Sequence, residues 1–170
     1  MKTLFDKSDA QFSPCRTWRY ALWRTWDWQG HANVCMFIGV NPSTADERKN
    51  DPTVTRCINF AKSWGYGGLI MMNLFAFRAT KIRDLWKAAD PIGPGNDEAF
   101  GYQSSRCGLI VAAWGAKSDR RMAPRAAVIP GLVGGRPLYC LGRTAEGHPL
   151  HPLFVPGDRK PVIYSGGIAA

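Results

Sequence analysis

The sequence predicts a single α/β domain of three layers, α/β/α, built on a four-stranded, mostly parallel central sheet. Three observations carry this reading. Four apolar runs, at residues 34–39, 69–74, 108–115 and 137–142, have strand length and lack the alternation of a half-solvated strand. Helix signals separate them, the pattern of a parallel sheet. Each run also ends at or before a polar or otherwise unusual residue, and open α/β sheets bind ligands at the carboxyl ends of their strands.

The chain's 170 residues suit one domain, long enough to bury about two-thirds of the surface its unfolded form exposes. The expected domain spans residues 1–170, with residues 1–30 as an aromatic and basic segment packed on it. In that segment Phe12, Trp18, Tyr20, Trp23, Trp26 and Trp28 interleave with Arg16, Arg19 and Arg24. Such a pattern can stack bases or grip phosphates. It equally suits a strand-like entry whose arginine stems cover apolar surface.

Residues 34–39 form the first buried strand, stopped by Gly39 and Pro42. Asp51-Pro52 is a helix start, with Asp51 as N-cap and Pro52 in the first helical position. Val54, Ile58 and Ala61 then give that helix an apolar face, and Gly65 and Gly67-Gly68 end it. Residues 69–74 are the second strand, with Asn73 near its carboxyl end. Thr80 caps a short helix through Leu85 and Trp86, and Asn96 is a candidate cap for another through Gln103. The third strand ends in Trp114-Gly115. A helix is expected from about Ser118 to Val128, kinked or split by Pro124. The fourth strand follows, and after it come His148 and His151.

The chain carries 22 Lys and Arg against 13 Asp and Glu, a net charge of +9 with a pI near 9.6. That balance favours polyanions and matches a nucleic-acid footprint. Arg120, Arg121 and Arg125 add to the basic residues set among aromatic or Gly/Pro-rich surroundings. The five cysteines form no C-x-x-C pair, so neither a zinc ribbon nor an iron–sulfur site is indicated. Cys35, Cys107 and Cys140 read as reduced core residues, and no metal or cofactor is implied. The first seven residues lack the apolar stretch of a secretory signal, and no apolar run approaches a membrane span. A soluble, cytoplasmic protein is expected. With no heptad and no long exposed apolar run, it is expected as a monomer without an obligate protein partner.

At its strand-end residues the chain resembles the family catalogued as domain of unknown function 1643, and more broadly the uracil-DNA glycosylase superfamily. The family resemblance rests on Gly39-Val40-Asn41-Pro42-Ser43-Thr44-Ala45-Asp46, Asp51-Pro52-Thr53-Val54, Trp64-Gly65-Tyr66-Gly67-Gly68, Asn73-Leu74-Phe75-Ala76-Phe77-Arg78, Ala113-Trp114-Gly115 and Gly147-His148-Pro149-Leu150-His151-Pro152-Leu153. It covers about residues 15–156. The wider likeness implies a uracil-DNA-glycosylase-like sheet. In it Gly39-Val40-Asn41-Pro42 is similar to a water-positioning loop that uses asparagine where other uracil excisers use aspartate. Asn73 resembles the asparagine that reads a flipped base, and Trp114-Gly115 a matching pair after the third strand. The His-Pro segment resembles a loop supplying a catalytic histidine and a leucine wedge. That segment is doubled here, so His148 or His151 can be the counterpart, and Leu150 or Leu153 the wedge. Asp46, farther along the first loop, can supply the carboxylate that Asn41 lacks.

The implied chemistry is N-glycosidic cleavage through an oxocarbenium-like transition state, with positive charge on the sugar and negative charge on the departing base. A histidine can stabilise the base anion, Asn41 can hold the attacking water, and Asp46 can act as a base. Asn73 offers a donor and an acceptor to a base edge, with Phe75 and Trp114 as pocket walls. Reaching the bond requires base flipping, a wedge in the vacated gap and cations on the phosphates. Pro42, Ser43, Arg78 and Arg143 are the expected DNA contacts beside Leu150 and Leu153.

The expected function is thus that of a monofunctional DNA glycosylase acting on a damaged or modified base. The first loop lacks the bulky tyrosine that excludes larger pyrimidines, so heavily modified phage cytosines, and with them a defence role, are within its scope. Plainer roles fit the same residues: Asn41 as a turn residue before Pro42, Asn73 as a satisfied core amide, the histidines as loop residues. A non-catalytic nucleic-acid-binding module of the same fold and a nucleoside or nucleotide hydrolase are the alternatives. The absence of a G-x-x-x-x-G-K-[ST] phosphate loop disfavours the latter.

Overall fold

The computed structural model describes residues 8–116 and 120–165. Seven strands, β1 (Ser8–Phe12), β2 (Arg19–Thr25), β3 (Val34–Gly39), β4 (Gly68–Asn73), β5 (Leu109–Ala112), β6 (Leu138–Cys140) and β7 (Val162–Ser165), form one sheet in the order β1-β2-β4-β3-β5-β6-β7. Four helices accompany them: α1 (Pro52–Ser63), α2 (Ile82–Lys87), α3 (Asn96–Ser104) and α4 (Met122–Leu132).

The expected four-stranded sheet is therefore corrected to a mixed seven-stranded one. β4, β3, β5 and β6 run parallel, while β2 on one flank and β7 on the other pair antiparallel, and β1 extends the β2 side. The parallel strands were legible because β3, β4 and β5 are buried along their whole length. Strands covered on both faces read as unbroken apolar runs. α1 packs on one face through Val54, Cys57, Phe60 and Ala61. Leu85 of α2, Phe100 of α3 and Ile129 of α4 cover the other.

Residues 12–28 take the strand-like alternative. Trp18 Nε1 donates to the Asp90 carbonyl and Trp26 Nε1 to that of Tyr66, each at 2.9 Å. Arg19, Arg24 and Arg125 are buried, so the arginines do not form one exposed basic patch. Arg24 instead clamps the loop after β3, donating to Asn50 Oδ1 and to the carbonyls of Asp46 and Lys49.

Asp51 caps α1 as expected, its Oδ1 accepting from the Val54 N–H at 2.9 Å. Asn96 does not cap α3. It is that helix's first residue, and its Nδ2 donates to the carbonyls of Asn73 and Leu74. α2 begins after Lys81, not Thr80, and without a side-chain cap. α4 starts at Met122 and ends at Leu132, so Pro124 sits in its first turn, where no intrahelical N–H is lost. The expected start at Ser118 lies outside the described residues, as do the N-terminal residues 1–7. No helix among the described residues is long and apolar enough to cross a membrane.

One surface contact ties the β1–β2 connection to the loop after β3. The Arg16 guanidinium donates to both Glu47 carboxylate oxygens, at 2.6 and 3.1 Å, and holds that carboxyl down at about 2. A carboxyl lowered by folding stabilises above its unfolded value and loses that contribution as pH falls. The loss runs from 4.5, its ordinary value, toward about 2. Glu47→Gln is expected to lower Tm at neutral pH, modestly since the pair is solvent-exposed, and to leave it unchanged near pH 2, so that the acid limb of the Tm-against-pH curve flattens in that window.

Candidate functional site

The register of the parallel strands brings their carboxyl ends together, with Gly39 opposite Asn73, Ile38 opposite Ala112, and Ala112 opposite Cys140. The loops leaving this edge enclose a cavity of about 510 Å³, lined among others by Asn41, Ser43, Asn73, Leu150, His151 and Leu153. Its size falls within the roughly 300–1,000 Å³ of small-molecule sites.

Asn41 leaves β3 with its side chain pinned. Its Nδ2 donates to the Pro42 carbonyl at 3.0 Å and to the Ala79 carbonyl at 2.7 Å. Both amide hydrogens are used, so Oδ1 is the atom left to accept. Asn73 is fixed in the opposite sense. Its Oδ1 accepts from Arg19 Nη2 at 3.1 Å, and because a guanidinium only donates, the atom it meets must be the oxygen. Nδ2 then lies over Gly39, where a Cβ would approach it to 3.0 Å. The expectation that Asn73 offers donor and acceptor alike is narrowed: one side of its acceptor is occupied, and its donor is presented.

Arg19 is the cavity residue that sequence reasoning left among surface arginines. It is 2 % exposed, and Nη1 donates to the Ala45 carbonyl at 3.0 Å. Burial pushes its guanidinium down to about 10, opposed by the charge of Asp51, so it remains a cation at neutral pH. Asp51 also lines the cavity, a carboxylate read from sequence only as a helix cap.

The two histidines part company. His148 lies in a different hollow of about 640 Å³, with Trp114, Arg120, Glu146 and Tyr164, placed there by a turn in which Thr144 and His148 bond each other. His151 lines the strand-end cavity. Its Nδ1 accepts from the Leu153 N–H at 3.2 Å, which in the neutral ring puts the proton on Nε2. Arg56 of α1 holds this segment from behind, donating to the carbonyls of Pro152 and Val155.

Gly115 explains the Trp-Gly pair better than its tryptophan does. Its φ of +71° suits glycine, and a Cβ there would lie 3.1 Å from the His151 Cβ. Gly115→Ala is expected to cost about 1 kcal/mol of stability from backbone strain. It is also expected to displace His151 at an unchanged far-UV spectrum, measured by chemical denaturation and by the shift of the His151 ring resonances in NMR spectra.

The remaining expected residues fall elsewhere. Asp46 lies in a shallow hollow with Arg48 and Lys49. Its Oδ1 accepts from both their N–H groups, which hold its carboxyl below the usual range, so it does not supply the cavity's carboxylate. Phe75 is core, 1 % exposed and edge-on to Trp86. Trp114 is buried edge-on to Tyr164. Pro42 is buried and contributes its carbonyl. Arg78 donates to the Arg16 carbonyl and covers Phe12, reaching the cavity only through its neighbours Ala79 and Thr80. Arg143 lies over Tyr164 and bonds the carbonyls of Ile163 and Tyr164. Of the candidate wedges, Leu150 is half-buried against Gly142 and Leu153 is exposed. Beside it Phe154, unremarked in the sequence, is 82 % exposed. Among the described residues no group of three or more His, Cys, Asp or Glu is placed to hold a metal ion.

Fold and site together define an α/β domain with a cavity, lined by both polar and apolar side chains, at the carboxyl edge of its parallel strands. The family model described as "Protein of unknown function (DUF1643)" matches residues 19–153, and the chain belongs to that family. Its limits are Arg19 and Leu153, both cavity residues. Comparison with curated proteins and with solved structures gives no match.

Proposed function

We propose that the strand-end cavity is the active site of a monofunctional DNA glycosylase related to the uracil-DNA glycosylases. The observation that carries this reading is the fixed polarity of three side chains lining one cavity. Asn41 has an oxygen left to accept, Asn73 is held by Arg19 with its amide nitrogen over Gly39, and His151 carries its neutral-state proton on Nε2.

In this reading Asn41 Oδ1 orients a water toward C1′ of the flipped nucleotide. The C1′–N bond breaks and its electron pair leaves with the base. His151 Nε2–H donates to the developing base anion, an interaction stronger in the transition state than in the ground state. Asn73 Nδ2 donates to a base carbonyl, and the buried Arg19 cation behind it favours negative charge on the base. The Asp51 carboxylate balances the positive sugar and is the cavity group able to take the proton the water loses. Leu153 and Phe154 at the rim suit a wedge for the emptied stack, and the net charge of +9 suits a polyanion. A cavity of this size has room for a pyrimidine larger than uracil, which extends the reading to bulky modified cytosines and a role in defence against phage.

The test compares an oligonucleotide with the free nucleoside of the same modified base. A DNA glycosylase is expected to cleave only the oligonucleotide, with kcat/KM falling steeply between about 50 and 200 mM salt as phosphate contacts are screened. Equal cleavage of the nucleoside, insensitive to salt, would overturn the DNA reading in favour of a nucleoside hydrolase.

A further inference from the structure

Six large apolar side chains are exposed among the described residues, and three of them line the strand-end cavity: Ile82 at 39 %, Leu153 at 44 % and Phe154 at 82 %. They come from two separate elements, Ile82 from the start of α2 and the other two from the turn after His151. The Phe154 ring lies 5.5 Å from that of His151, so the most exposed of the three stands beside the proposed catalytic group. Single exposed apolar residues are ordinary, whereas several gathered at one cavity mark a binding surface.

Within the glycosylase reading, on which this inference rests, that surface meets whatever flanks the flipped nucleotide. In a duplex the flanking bases are paired and stacked, so the protein meets mainly sugars and phosphates, and only the gap left by the flipped base admits a side chain. In a single strand every base has a face that an aromatic ring can cover, and no pairing is broken when the target leaves the stack. Three apolar side chains at one mouth match the second surface. The charge beside them suits a polyanion gripped at few phosphates. Arg78 and Arg143 are spent on the protein's own carbonyls. Lys81, set between the lining residues Thr80 and Ile82, and Arg83 are exposed, and Arg83 meets the Asp84 carboxylate only at 3.9 Å.

We infer that the strand-end cavity takes its base from single-stranded DNA. Phe154 stacks on the base next to the flipped one, Ile82 and Leu153 cover further base surface, and Lys81 and Arg83 hold phosphates.

The test is fluorescence anisotropy of the full chain with a labelled oligonucleotide carrying one tetrahydrofuran abasic site, alone and annealed to its complement. This probe cannot be cleaved, so binding is read without chemistry. The single strand is expected to bind at least about tenfold tighter than the duplex. Phe154→Ala is expected to weaken single-strand binding by about tenfold or more, the scale of one base–aromatic stack, and Phe154→Trp to keep it. Lys81→Gln combined with Arg83→Gln is expected to flatten the slope of log affinity against log salt by about 1.4, at about 0.7 for each phosphate contact on a single strand. Duplex binding as tight as that of the single strand, undiminished binding by Phe154→Ala, or an unchanged salt slope would each overturn the inference. Base release from the same strand carrying a modified base separates the two claims: intact strands with the single-strand preference kept remove the chemistry and not the preference, whereas released base with the duplex preferred removes this inference alone.

Discussion

His151→Ala is expected to slow base release by about 10²–10⁴-fold, the usual range for a positioned acid–base group, while His148→Ala leaves it within about twofold. The two residues are three apart in a proline-rich loop and look interchangeable as sequence. They differ in what their surroundings do to them. The Leu153 N–H bonded to Nδ1 sets the neutral tautomer of His151, Gly115 leaves room for its Cβ, and Arg56 fixes the backbone behind it. His148 shares its hollow with Trp114, Arg120 and Tyr164 and lines no part of the strand-end cavity. Single-turnover release with each variant under saturating DNA measures both effects, and retained DNA affinity in His151→Ala separates lost chemistry from lost binding. Comparable losses in the two variants would remove His151 from its assigned role.

Asn41→Asp is the second large effect, and its direction is the less intuitive one. A carboxylate beside the attacking water looks like an improvement, because the classical uracil excisers that the proposed function compares this loop with use aspartate there. In this chain the Asn41 amide nitrogen faces two carbonyls, those of Pro42 and Ala79, at 3.0 and 2.7 Å. A carboxylate has no hydrogen to give either. It would set oxygen against oxygen and take from the Ala79 carbonyl its amide donor, at about 1–3 kcal/mol, while the Pro42 carbonyl keeps the Ala79 N–H. Asn41→Asp and Asn41→Ala are therefore each expected to lose about 10²-fold in kcat, with Asn41→Asp the less stable of the two at neutral pH. The sign of the pH effect follows from the carbonyls, which raise the folded-state value of the new carboxyl above its unfolded one. A group raised by folding stabilises at low pH, so the stability gap to Asn41→Ala should narrow on acidification as the carboxyl gains a proton to donate. Thermal unfolding of both variants across the acid range measures this. Faster base release by Asn41→Asp than by the unsubstituted protein would contradict the assigned orientation of Asn41.

The parts of the fold that could be read from sequence are those where burial is complete. β3 spans Val34–Gly39, the run expected, because both its faces are covered. α1 begins at Pro52 because Asp51 and Pro52 are local signals that need no tertiary context. β1 escaped, and β2 was legible only as one of two readings of residues 12–28, because their pattern is broken by charge. β2 places Arg19 and Arg24 inside the protein, bonded to backbone carbonyls and side-chain amides of the loop after β3 and of β4. No periodicity argument anticipates a buried guanidinium with partners as far as 22 and 54 residues away. β7 pairs with β6 only after the whole His-Pro segment has passed, so nothing local marks it as part of the sheet.

The candidate site shows the same division. Sequence located its loops, since a strand end is a local feature, but not the direction of each side chain. Asp46 follows Asn41 by five residues, yet the N–H groups of Arg48 and Lys49 turn its carboxylate into another hollow. Asp51, taken only as a helix cap, is the carboxylate that faces the cavity. Phe75 is two residues from Asn73 and packs into the core beside Trp86. Arg19 has no signal short of the fold itself, because it reaches Asn73 across the sheet from a neighbouring strand.

The central claim is that the strand-end cavity releases a base from DNA. The most direct measurement is mass analysis of free base and of abasic strand after incubation with DNAs carrying uracil, a thymine mismatch, hypoxanthine, or hydroxymethylated or glucosylated cytosine. Equal amounts of one free base and of the matching abasic strand, both absent with His151→Ala, are the predicted result. Intact strands from every DNA in the set, with tight and salt-sensitive binding retained, would contradict it and leave a nucleic-acid-binding module without this chemistry.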